Sequence, residues 1–179
     1  PDFTNSDYMR LYLSPEPPGD RTADVLGSSD VVLAVSPFGA DDGPKLALPD
    51  YGLPVRSGFP LGSCRAAARR TPAGYTLEVA VPRSAIAASL SAGSVPGFNV
   101  LVGDADAGRR VGEVSLGETV PRYWTNPQAY VPLELAAPGD DTPAAAAMQP
   151  VALSRRAWQL ERFQAMRVGI RQDGNIRRR

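Results

Sequence analysis

Apolar and polar positions alternate most clearly over residues 75–81, where Tyr75, Leu77, Val79 and Val81 fall on one side. That period of two predicts a strand with one buried face. Residues 8–13 alternate as well, with Met9, Leu11 and Leu13 on one face and Tyr8, Arg10 and Tyr12 on the other. Residues 31–35 (VVLAV) are apolar without a break, as a strand covered on both faces is. Further strands are predicted over 98–102, 111–116 and 130–135, and Pro132 places the last of these at a sheet edge. Turn signals separate them at 14–20, 40–44 and 104–110. Residues 83–90, after Pro82, suit one or two helical turns. Residues 36–63 read as a long loop with little regular structure. Short strands divided by Gly, Pro and Asp turns predict an all-β fold, an antiparallel β-sandwich.

The pattern changes after Leu135. Residues 136–153 read as a Pro/Ala-rich linker, which divides the chain into a sandwich module over 1–135, the linker, and a basic end over 154–179. Residues 154–168 read as a helix, with Ser154 able to cap it and Gly169 just past its end. Leu160, Phe163, Met166 and Ile170 form its apolar stripe, with Trp158 off it. Such a helix packs on its own sandwich, on a partner or on a membrane surface.

Charge sharpens this division. The chain is formally neutral, yet residues 1–150 hold 11 basic and 17 acidic residues, while 151–179 hold 8 and 2. The body is therefore net −6 and the end net +6. The basic end marks Arg155, Arg156, Trp158, Arg162, Phe163, Arg167, Arg171, Arg177, Arg178 and Arg179 as partner-binding candidates for an anionic surface. The alternative is a solvated end. Nucleic acid is disfavoured, since an acidic body repels phosphates.

The chemistry on offer is narrow. The chain has no histidine and a single cysteine, Cys64. That excludes Ser–His–Asp and Cys–His machinery, histidine-ligated metals, and a cysteine-rich cluster held by this chain alone. No phosphate loop or dinucleotide fingerprint occurs. Nothing singles out a carboxylate pair for hydrolysis, so the expectation is a protein that is not an enzyme.

The order of four segments resembles the family-9 carbohydrate-binding modules and the wider DOMON-like sandwiches. They are residues 7–13 (DYMRLYL), 69–82 (RRTPAGYTLEVAVP), 97–106 (GFNVLVGDAD), and Trp124 followed by 130–135 (YVPLEL). The resemblance spans Asp7 to Leu135 and places the family's leading strands ahead of Asp7. Arg83 stands where many relatives carry an aromatic after the proline. The resemblance implies a sandwich without catalysis, with sugar stacking at Tyr123, Trp124 and Tyr130, and with Tyr51 as a further aromatic. The other reading of Trp124 and Tyr130 is packing.

Other ligands are weighed on the same residues. Asp104 and Asp106 are weak calcium candidates, with Asp41 and Asp42 beside them, and a self-bonded Asp turn is the alternative. Some DOMON-like relatives hold haem through Met with His or Lys. Met9 and Lys45 are the residues available for it here, although Met9 falls on an apolar stripe that suits core packing.

Two functions are thus expected. The first is an accessory or structural subunit that docks on a larger, membrane-associated assembly through sandwich edges and the basic end. The second is a carbohydrate-binding module. The first is preferred on sequence, because aromatics are only 7% of the chain. Pro1 is not an initiator, and with the resemblance it gives export, periplasmic or extracellular, as the expected location.

Overall fold

Strand β1 (Tyr8–Ser14) lies at the centre of a sheet because both its edges are paired and both its faces are covered. The computed structural model describes residues 6–39, 42–49, 56, 58–72, 74–106, 109–116 and 125–136. Strand β2 (Val31–Ser36) pairs antiparallel with one edge of β1, and β3 (Lys45–Ala47) continues beyond β2. On the other edge β6 (Gly97–Asp106) pairs with β1, and β7 (Arg109–Ser115) folds back on β6. The two-residue β8 (Val131–Pro132) pairs with Gly97 and Phe98. Because β1 holds one edge of β6, β8 shares the outer edge with β7, and there Pro132 costs no ladder bond. A separate hairpin, β4 (Arg65–Thr71) with β5 (Gly74–Ala80), forms the second sheet.

Register decides which side chains meet. Met9, Leu11 and Leu13 stand opposite Val35, Leu33 and Val31 on one side and Val102, Val100 and Phe98 on the other. This inner face packs against Val79 and Val81, Phe59, Cys64, and Ala85, Ile86 and Leu90. The hairpin therefore lies over the large sheet, as an antiparallel sandwich requires. Each Val, Leu, Ile, Phe or Met side chain here, when fully buried, contributes about 1.5–3 kcal/mol of transfer free energy. Met9 belongs to this core at 5% exposure, so its packing is that of a gap-filling aliphatic residue.

The opposite face is covered too. Tyr8, Tyr12, Val32 and Leu101 gather there with Leu26 and Tyr130. Two covered faces explain why residues 31–35 of β2 are all apolar.

Several sequence expectations change. Among the described residues of 36–63 lie β3 and a 3-10 turn at Leu61–Ser63. Residues 104–106 lie in β6 rather than in a turn, with a bulge between Asp104 and Ala105. Past the Tyr8–Gly103 end of the β1–β6 ladder, the Ala105 N–H donates to Asp7 Oδ1 at 3.0 Å. The final strand is shorter than 130–135, because Pro127–Ala129 forms a 3-10 turn and Tyr130 caps it. The helical turn after Pro82 is α1 (Arg83–Ile86). Residues 137–179, with the linker and the basic end, lie outside the described residues.

Candidate functional site

Two polar constellations stand out from the core. The first is internal. Arg21 reaches inward to Asp30, Nη2 to Oδ2 at 2.5 Å, with side-chain exposures of 5% and 0%. Gly27 N–H donates to the same carboxylate oxygen at 2.6 Å. Arg21 Nη1 also donates to Ser14 Oγ at 3.3 Å, and Gln128 Nε2 donates to the Arg21 carbonyl at 3.1 Å. These bonds tie the loop after β1 to the turn before β8. A charge pair this deep holds position well, and the other carboxylate near Arg21, Glu16 at 3.5 Å, is exposed.

Tyr130 belongs to this interior. It is 4% exposed, and its ring meets Tyr12 at 6.0 Å with planes inclined by 56°. Burial first, then Tyr12 and Asp30, push its phenol well above the usual range, against a smaller opposing effect of Arg21. Its faces are packed rather than open to a sugar. Tyr51, Tyr123 and Trp124 lie outside the described residues, as do Arg155, Arg156, Trp158, Arg162, Phe163, Arg167, Arg171 and Arg177–Arg179.

The second constellation is at the surface. Arg70 and Tyr75 are cross-strand partners near the tip of the β4–β5 hairpin. The Arg70 guanidinium carbon lies 3.8 Å from the centre of the Phe38 ring, a cation–π contact. Phe38 meets Tyr75 edge to face, 5.8 Å between centres at 86°. Arg70 Nη2 bonds Asp42 Oδ1 at 2.9 Å, with side-chain exposures of 66% and 75%. Asp42 has φ 57, the left-handed region that Asp tolerates better than most residues. The loop around it is closed by Gly39 N–H to the Gly43 carbonyl at 2.7 Å and Asp42 N–H to the Gly39 carbonyl at 3.0 Å.

Burial, with Asp7 and Asp104 nearby, pushes the Tyr75 phenol up to about 12. It remains a hydrogen-bond donor across physiological pH. Asp104 is half-buried near the end of β6. Among the described residues no group of three or more His, Cys, Asp or Glu is arranged to hold a metal.

Sequence reasoning missed this surface group. Phe38, Asp42, Arg70 and Tyr75 share no motif; the β2–β3 loop and the hairpin tip bring them together. The alternation over 75–81 marked Tyr75 only as part of an apolar face.

The fold places the chain among antiparallel β-sandwich modules. Within that class, residues 60–137 match the family model described as carbohydrate family 9 binding domain-like. That match runs from before the hairpin past β8, and it bears out the family-9 resemblance carried by the segments from Arg69 to Leu135. A solved structure with the same fold is a family-9 carbohydrate-binding module from Caldicellulosiruptor kristjanssonii in complex with cellotriose. It is 19% identical, with a TM-score of 0.55 over 79% of this chain and 64% of that one. The chain thus spans somewhat under two thirds of that module. None of the curated proteins matches the chain.

Proposed function

We propose that the chain is a non-catalytic glycan-binding module of an exported protein. The observation that carries this is the family match over residues 60–137, joined to a sandwich fold shared with a module seen in complex with cellotriose. The Phe38–Arg70–Asp42–Tyr75 group supports it, with Arg70 and Asp42 exposed and the two rings half-buried beside them. Rings beside hydrogen-bonding groups suit a ligand with apolar CH faces and hydroxyl edges.

This reading takes the place of docking onto a membrane-associated assembly, which rests on Arg155–Arg179. Those residues lie outside the described part, and the comparisons point to a glycan. Trp124 and Tyr123 remain proposed stacking residues on the family resemblance.

The test is depletion of the full chain from solution by insoluble cellulose, xylan and chitin. Retention on at least one of them is expected, with weaker retention of Trp124→Ala. A wild-type chain that stays in solution with all three counts against the module reading.

A further inference from the structure

We propose that the tip of the β4–β5 hairpin and the β2–β3 loop form a glycan-contact site for neutral pyranose chains, with Arg70 and Asp42 as its hydrogen-bonding pair and Phe38 and Tyr75 as its apolar ledge. It rests on the module reading and assigns that reading a place and a ligand class.

The pair is built for presentation rather than stability. An ion pair with both partners this exposed contributes only about 0–1 kcal/mol. Even so, Arg70 is fixed in three ways: by the Phe38 ring at 3.8 Å, by Asp42 at 2.9 Å, and by its strand position opposite Tyr75. A guanidinium held over a ring and by a carboxylate loses little further freedom when it binds. Its N–H groups lie next to a carboxylate oxygen, so donors and an acceptor sit side by side. Adjacent sugar hydroxyls, each a donor and an acceptor, match that arrangement.

Charge selects the class. Asp42 is in the pair itself, and Asp7 and Asp104, just past the Tyr8–Gly103 end of the β1–β6 ladder, act on Tyr75. Arg70 is already paired with Asp42, and the Lys45 stem lies beside Gly39 of the β2–β3 loop. A uronate would have to displace Asp42 from Arg70 while facing the other carboxylates. A neutral sugar carries no such cost.

The experiment is calorimetric titration of the full chain with cellohexaose, xylohexaose and hexagalacturonate, for wild type, Arg70→Gln and Asp42→Asn. Both substitutions are at exposed positions, and thermal melts check the fold. Wild type is expected to bind a neutral hexasaccharide at least about tenfold more tightly than hexagalacturonate. Each variant is expected to lose about tenfold or more, the scale of a hydrogen bond to a charged group. Variants within twofold of wild type overturn the site and leave the module reading standing. Preference for hexagalacturonate overturns the ligand class. A wild-type chain that binds none of the three sugars overturns the inference, and binding to the insoluble glycans then decides the module reading separately.

Discussion

The Tyr8 ring lies against Gly103, occupying the space that a Cβ on that residue would need. The two are register partners across β1 and β6. Tyr8 is fully buried and its hydroxyl donates to Glu113 on β7, so the ring has no free path aside. One small residue thus seats an aromatic on the far face of the sheet. Gly103→Ala should destabilise the fold by about 1–3 kcal/mol, the usual cost of overpacking. Urea unfolding measures it, and an unchanged midpoint would show that the ring moves freely.

The two ion pairs offer a matched contrast. Asp30→Asn leaves the buried Arg21 guanidinium with only the exposed Glu16, 3.5 Å away, as counter-charge, and should cost about 3 kcal/mol, the low end for a broken buried pair. Asp42→Asn breaks a pair already in water, and should cost under about 1 kcal/mol. Denaturant unfolding of both variants in one buffer checks the difference. Equal losses would contradict the assignment of the first pair to stability and the second to binding.

Alkaline pH gives a further check. The Tyr75 phenol is raised from 10.0 to about 12 on folding, and Tyr130 is raised as well. The folded state thus favours the protonated form. The associated stability is complete below pH 10 and is lost as pH rises from there toward 12. Tyr75→Phe should flatten the fall in melting temperature between these limits. Tyrosinate absorbance of the native wild type should lag behind that of the unfolded chain, and coincident titrations would argue against burial of these phenols.

Cys64 is 8% exposed, and burial raises its thiol pKa against a smaller lowering by the Ser63 hydrogen bond. Less thiolate and little access both slow its reaction. An aromatic disulfide reagent should label it slowly in the native chain and rapidly in urea. Fast native labelling would place the thiol at the surface.

Much of the fold was legible because large apolar residues mark one period clearly. The alternation of β5 and the unbroken run of β2 identify those strands directly. Strand β4 was invisible because RAAARRT carries no alternating bulk. It is extended because it pairs with β5 along seven positions, a non-local cause. The short β3 depends in the same way on β2. The candidate site was less legible still. Aromatic type drew attention to Tyr130, which the fold uses for packing against Tyr12. Phe38, Arg70 and Asp42 gain their meaning only from the loop and hairpin tip that bring them together.

The most direct test of glycan binding is a proton–nitrogen NMR titration of the full labelled chain with cellohexaose up to millimolar concentration. The account predicts saturable shifts that include the amides of Asp42, Arg70 and Tyr75. A spectrum unchanged at every amide through the titration would contradict it.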